Sequence, residues 1–319
     1  MHVWNGLDEV PATLAGSVVT LGNFDGVHRG HRAVLGVLAE QAGGLELPAV
    51  AVTFHPHPLA VLSPEAAPPE LTSLPQRLVL LEAAGVSAVL VVEFTREFAA
   101  QTPAEFVDRV FVQTLRARVV VVGEDTRFGV RNSGNVATLR ELGLHHGFQV
   151  IAVDDIGDGG RWSSTRVRAM LAEGDVHAAA GILGRPPRVD GTVVHGDHRG
   201  RELGFPTANL GGDIEGLIPA DGVYAGWLTR LQLADEVPDR VLPAAISIGT
   251  NPTFDGTSRR VEGYVLDRSD LELYGERIAY EFVERLRPTL RFEGIDPLID
   301  QMRRDVADCR VRLSRIVTS

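Results

Sequence analysis

Residues 22–31, Gly-Asn-Phe-Asp-Gly-Val-His-Arg-Gly-His, put two histidines, three glycines and an aspartate into ten positions. His28 and His31 are three apart, which places two side chains on one side of a helix start. Their imidazoles can donate hydrogen bonds to one anionic group, and glycines such as Gly22 and Gly30 let main-chain N–H groups come close to it. Phosphate is the chemistry that fits. Phosphoryl and nucleotidyl transfer ask a protein mainly to position reactants and neutralise charge. The competing reading of the same spacing is a metal pair or two structural histidines. Asn23 and Asp25 either shape the loop or touch a nucleotide.

Three further clusters have the same character. Ser163-Ser164-Thr165-Arg166-Val167-Arg168 offers hydroxyls that can cap a helix while facing an anion, and adds arginine charge. An ordinary capped helix with solvated arginines is the plain alternative. Gly200-Arg-Glu-Leu-Gly204-Phe-Pro-Thr207-Ala-Asn209 joins a glycine-flanked loop, able to nest phosphates, to a hydroxyl and an amide oxygen, hard donors suited to Mg²⁺. Glu262, between Val261 and Gly263, can take a proton from an alcohol or face solvent from a strand. Thr53-Phe-His-Pro-His-Pro58 reads as a rigid turn. His55 and His57 join His28 and His31 as a zinc set only if three or four of them converge.

The elements that must hold these residues follow from periodicity. Ser17–Leu21 is a short apolar run, and the stretch after residue 31 has helical spacing at Val34, Leu35, Val37 and Leu38. The first cluster is therefore a strand-to-helix turn, where open α/β sheets bind ligands. Strands are expected at 17–21, 49–54, 88–93, 118–123 and 149–153, with helical patterns between them. One such helix starts at Thr102-Pro-Ala-Glu105, a capping box with proline at its first position; another covers 135–146 and ends at Gly147. This alternation predicts a parallel sheet covered on both faces. After a further helix from about Ser163, the prolines of Gly184-Arg-Pro-Pro187 mark a boundary, giving domains 1–185 and 186–319. Beyond it, strands at 189–195, 222–229, 241–247, 261–266 and 278–285 follow without helices, which predicts an antiparallel sheet or barrel. A last helix, about 297–316, carries Leu298, Met302, Val306, Cys309, Leu313 and Ile316 in one apolar stripe.

Bulk properties exclude several classes. The 319 residues carry a formal net charge of −11, which disfavours partnership with nucleic acid or anionic membrane. Every one of the 31 Lys+Arg residues is arginine, so neither a P-loop lysine nor a Schiff-base lysine exists. The single cysteine, Cys309, precludes an internal disulfide and fits a reducing compartment. No signal peptide or membrane span is legible, and a cytoplasmic protein is expected. Nothing in the sequence indicates an oligomer.

Together, "GNFDGVHRGH" and "SSTRVR" resemble the nucleotidyltransferase signatures of the bacterial bifunctional riboflavin kinase/FMN adenylyltransferase family. "TFHPHP", "VVGEDTRFG", "GFPTAN", "DGVYAG", "SIGTNPTF" and "RRVEGYVLD" continue the resemblance in family order over nearly the whole chain. The resemblance implies an α/β plus β enzyme. Its Rossmann-like first domain would adenylylate FMN to FAD, releasing pyrophosphate. Its antiparallel barrel would phosphorylate riboflavin with Mg-ATP. His28 and His31 would hold the ATP phosphates, with Gly22, Asn23, Asp25 and Gly30 beside them. Ser164, Thr165 and Arg168 would hold the outgoing pyrophosphate. Phe54, His57, Pro58 and Asp125 would lie on the flavin side. In the kinase half, Gly200, Gly204, Thr207 and Asn209 would position Mg-ATP, and Glu262 would act as base for the ribityl hydroxyl.

Four residues at three sites depart from that family's pattern: Thr126 replaces an aromatic residue, Gly263-Tyr264 a small residue followed by histidine, and Pro187 a frequent tyrosine. A single surviving activity, or a flavin-binding module without turnover, are the rival readings.

Overall fold

The computed structural model describes residues 1–154, 157, 160–196, 204–253 and 256–317. The chain divides into two compact units, Met1–Ser164 and Thr165–Ser319.

The first unit is built on six parallel strands: β1 (His2–Asn5), β2 (Ser17–Leu21), β3 (Ala49–His55), β4 (Ala88–Glu93), β5 (Ala117–Gly123) and β6 (Gln149–Val153), in the order β1-β4-β3-β2-β5-β6. The five strands expected from the sequence are present. β1 is added at the edge, where "HVWN" is too short and too exposed to show a period. Alternate residues of each strand feed opposite faces. Val19, Val50, Leu90 and Val120 pack with Phe106 and Phe111, whereas Val18, Ala51, Val89 and Val121 pack with Leu35, Leu38 and Leu81. This two-sided burial explains why these strands read as continuous apolar runs.

Helix α1 (Arg29–Leu45) follows β2; α2 (Pro58–Leu62) follows β3; α3 (Leu74–Ala83) precedes β4. Beyond β4 come α4 (Arg96–Ala99), α5 (Pro103–Phe106) and α6 (Val136–His146). The capping box at Thr102 and Glu105 forms, but α-geometry lasts one turn before the wider π-type segment Val107–Thr114. At the far end of α6, Gly147 takes the left-handed conformation (φ 79°) that the expected helix stop requires.

The order reverses at β2: the chain moves outward through β3 and β4, then returns to pair β5 on the other side of β2. The carboxyl ends of β2, β3 and β5 therefore flank a topological switch point, the place where such sheets bind ligands.

In the second unit, α7 (Ser164–Glu173) and α8 (Val176–Leu183) precede a closed barrel of β7 (Arg188–Val194), β8 (Thr207–Leu210), β9 (Gly222–Arg230), β10 (Val241–Thr253), β11 (Gly256–Val265) and β12 (Arg277–Arg287). The sequence reading groups α7 and α8 with the first half. Here Leu171 O accepts from Ala220 N at 2.8 Å and Glu173 O from Arg285 Nη1 at 3.1 Å, so α7 is tied to barrel residues. β8 went unpredicted because "TANL" is four residues long. Helix α9 (Ile295–Val317) lays its apolar stripe on the barrel, where Cys309 and Leu313 cluster with Ala225 and Leu266. Burial pushes the Cys309 thiol up to about 11, so it stays protonated and inert.

Candidate functional site

The loop after β2 is forced into an unusual path. Phe24, Gly26 and Val27 all have positive φ (49°, 79° and 38°), and for the β-branched Val27 this is a strained state. Burial holds it: Phe24 and Val27 are in the core, and Asp25, 2% exposed, accepts from Leu71 N, Thr72 N and Thr72 Oγ1 at 3.0–3.2 Å. The Asp25 carboxylate is thus turned inward to shape the loop.

His28 is the N-cap of α1, and its Nδ1 accepts from His31 N at 3.3 Å. In the neutral ring that leaves the proton on Nε2. The two imidazoles stack, centroids 3.6 Å apart at 18°. A Cβ on Gly30 would lie 3.1 Å from the His28 ring, so any larger residue there would push on the imidazole. Among the described residues, the buried His31 Nδ1 has no hydrogen-bond partner. Burial, then the positive fields of His28, Arg77 and Arg161, hold His31 well below the usual imidazole range. Near neutral pH the ring is a neutral hydrogen-bonding group beside the N–H groups of a helix start.

Both histidines line a cleft of about 530 Å³. Gly22, Asn23, Phe54, His57, Pro58 and Asp125 line it too, so residues expected on the nucleotide side and residues expected on the flavin side line one cavity. Asn23 Nδ2 lies 3.3 Å from His57 Nε2, joining the turns after β2 and β3. His57 also caps α2, its Nδ1 accepting from Leu59 N at 3.1 Å. Asp125 is ion-paired to Arg161. Thr126 lines the cleft and donates its N–H to Gly123 O at 3.0 Å, closing the turn in which an aromatic residue was expected.

Phe94, Phe98, Phe106 and Phe128, not singled out from the sequence, complete the walls beside Phe54. Phe54, Phe94 and Phe98 form a mutual aromatic contact set at 5.4–6.0 Å, and Phe106 and Phe128 continue it. The legible signal was a phenylalanine just at or past the end of each of two neighbouring strands. Ser164 opens α7 and its Oγ donates to Asp25 O at 2.8 Å, which draws the second motif to the first. Thr165 and Arg168 follow on the first turns of that helix.

In the barrel, β8 and β11 pair so that Glu262 lies opposite Asn209 and Tyr264 opposite Thr207. Thr207 Oγ1 donates to Glu262 Oε2 at 3.4 Å, and Asn209 Nδ2 lies 3.3 Å from Thr207 Oγ1. All three line a cavity of about 410 Å³, with Ser247 and Arg260 in addition. Gly204 has φ 84°; Gly200 lies outside the described residues. Gly263 is explained by its neighbour: a Cβ would meet the Tyr280 ring at 2.5 Å. Tyr280 is fully buried, its hydroxyl donates to Ala208 O at 2.7 Å, and burial raises its pKa. Tyr264 packs edge-on against Phe205 at 5.2 Å.

A divalent cation would find hard oxygens here in the Thr207 hydroxyl and the Asn209 amide. Among the described residues no group of three or more His, Cys, Asp or Glu is placed to hold a metal. A hydroxyl and an amide oxygen are hard donors of the kind Mg²⁺ takes beside substrate phosphates.

The FAD synthetase family model matches residues 10–166 and the riboflavin kinase model residues 183–313. The bifunctional riboflavin kinase/FMN adenylyltransferase of Escherichia coli is 39% identical over 296 residues, 92% of each chain. That of Pseudomonas fluorescens is 36% identical over 312 residues, 97% of each. The crystal structure of a macrolide-efflux protein from Streptococcus pneumoniae superposes with a TM-score of 0.85 at 30% identity, covering 97% of this chain and 98% of that one. Among the described residues no helix is long and apolar enough to cross a membrane.

Proposed function

The chain belongs to the bifunctional riboflavin kinase/FMN adenylyltransferase family, and from that premise we propose how its residues divide the two reactions. It phosphorylates riboflavin to FMN and adenylylates FMN to FAD. We assign the second reaction to the cleft of the parallel-sheet unit and the first to the barrel, with the boundary near residue 185. Two separate cavities, each with its own phosphate-handling residues, support that division.

In adenylyl transfer the nucleophile is the FMN phosphate, already ionised at neutral pH. The step needs no strong base; it needs charge neutralised and reactants aligned. The stacked His28–His31 pair at the α1 N-terminus carries this assignment. The imidazoles hold the ATP phosphates as negative charge shifts from the α-phosphate to the leaving pyrophosphate, which Ser164, Thr165 and Arg168 receive. The aromatic and proline wall with Phe54 and Pro58 takes the isoalloxazine, and His57 and Asp125 orient it.

In the kinase reaction the nucleophile is an alcohol, so a proton must leave. Glu262, touching Thr207 and facing Asn209, accepts it. Thr207 and Asn209 would hold Mg²⁺ with the nucleotide phosphates, where the ion would supply charge neutralisation to the transferred group. Gly200 and Gly204 are assigned to binding those phosphates. ATP as the donor of both groups and one free, buried thiol fit work in a reducing cytoplasm. Incubation with riboflavin and Mg-ATP, followed by chromatography, tests the scheme: FMN and then FAD are expected. Accumulation of FMN with no FAD would remove the assignment of the first unit.

A further inference from the structure

The cleft of the first unit has two chemically different ends. Sheet order separates them: Phe94 and Phe54 belong to the β4 and β3 side, the His28–His31 loop leaves β2 in the centre, and Trp162 follows β6 at the opposite edge. The phenylalanine end suits a tricyclic ring. With phosphates meeting at the imidazoles, the base of the second substrate belongs on the side of β6.

Trp162 lines the same cleft and lies against the first turn of α1. The guanidinium carbon of Arg29 lies over its ring, 5.6 Å from the centroid. Arg29 is the first residue of α1 and adjoins His28, so the indole is fixed within a turn of the stacked imidazoles. The main chain is close as well: a Cβ on Gly30 would lie 3.6 Å from Trp162 O. Phe24 also lines the cleft but is 2% exposed and set edge-on to His31, whereas Trp162 is only half-buried.

We propose that Trp162, backed by Arg29, is the platform on which the purine of ATP stacks during adenylyl transfer, and that it selects purine over pyrimidine donors. The inference rests on the assignment of this cleft to FAD formation. A flat indole offers dispersion and π contact to any base, more to a bicyclic purine than to a pyrimidine.

The test is flavin dinucleotide formation from FMN by the full chain, with the donor varied: ATP gives FAD and CTP gives the flavin cytosine dinucleotide, each with release of pyrophosphate. Trp162→Ala should raise the KM for ATP about tenfold, the usual scale for losing one base–aromatic stack. The ATP/CTP preference in kcat/KM should fall by a similar factor. Trp162→Phe should recover most of both, and FMN formation from riboflavin should be unchanged. Fluorescence tests the contact without altering it. The chain has three tryptophans, so Trp4→Phe with Trp227→Phe leaves Trp162 as sole reporter. A non-hydrolysable ATP analogue should quench it, and the CTP counterpart should quench it less. A KM and preference within twofold of wild type, or no quenching at saturating analogue, overturns the proposal. Wild-type protein that makes no FAD from FMN and ATP overturns the cleft's assignment and this proposal together; wild type that makes FAD with the Trp162→Ala constants unmoved overturns only the platform.

Discussion

The hydroxyl of Ser164 donates to the main-chain carbonyl of Asp25 at 2.8 Å, across 139 residues of chain. This contact joins two motifs that the sequence shows only as separate phosphate-seeking clusters. The Asp25 side chain in turn clasps residues 71 and 72. Asp25→Asn keeps the volume but loses charge-assisted bonds to two N–H groups, at a cost of about 1.5–3 kcal/mol. Calorimetry should show the melting transition of the first unit lowered, with FMN formation retained below it. An unchanged transition would mean the clasp does not hold the loop.

His28→Ala combined with His31→Ala should abolish FAD formation from FMN and leave FMN formation from riboflavin intact. The pair lines one cavity, while Glu262, Thr207 and Asn209 line the other. Equal loss of both products would count against independent sites.

The depressed pKa of His31 has a sign that can be checked. Its folded-state value lies below the unfolded value of about 6.5. The neutral ring is favoured by folding, and that stabilisation is fully present above pH 6.5. As pH falls below 6.5, the unfolded chain takes up a proton that the folded chain refuses, and stability drops until the folded value is reached. The stability advantage of wild type over His31→Gln should therefore shrink between pH 7.5 and 5.5. A constant difference would place His31 at an ordinary pKa.

Much of this architecture is legible from period and punctuation. Val18–Leu21, Val50–Val52 and Val119–Val122 are buried throughout and, Thr20 aside, apolar, because both faces of the sheet are covered, and the Thr102 box and Gly147 stop fall where capping chemistry puts them. What the sequence hides is set by tertiary contact. β8 is held by pairing to β7 and β11 rather than by its own four residues. The inward role of Asp25 depends on residues 46 and 47 positions away. Gly263 looks like a departure until the Tyr280 ring is found in the space its side chain would need. The phenylalanine wall draws on the ends of two strands and two short helices, which no local spacing connects.

The ties of α7 and α8 to the barrel bear on where the chain can be cut. Ile182 and Leu183 are buried, and α8 packs on β12. A fragment of residues 165–319 should fold and phosphorylate riboflavin at close to the full-length rate. A fragment of 186–319 uncovers that surface; at about 25 cal/mol per Å² of apolar area it should melt lower, with the same activity when folded. A folded 165–319 fragment without kinase activity would refute the assignment of the barrel.

Glu262→Gln should cut FMN formation roughly 10²-fold or more, the usual scale for removing a general base. The ribityl hydroxyl is a poor nucleophile at neutral pH, so this step, unlike adenylyl transfer, requires a proton acceptor. Glutamine keeps the size of the side chain and one oxygen to accept from Thr207, so the KM for riboflavin should change little while kcat falls. The rival carboxylate is Asp221. Its oxygens accept from Thr250 Oγ1 at 2.6 Å and from Arg259 at 2.8 and 3.2 Å, and these partners hold its pKa below the usual carboxylate range against the opposing effect of burial. A carboxylate so engaged is a weak base, and Asp221 does not line the cavity that contains Thr207 and Asn209. Asp221→Asn should therefore loosen its contacts with Thr250 and Arg259 and lower stability, with FMN formation by the folded protein largely kept. FAD formation from added FMN reports on the other unit and should be untouched in both variants. Near-normal FMN formation by Glu262→Gln together with its collapse in Asp221→Asn would transfer the proton to Asp221 and remove Glu262 from the mechanism.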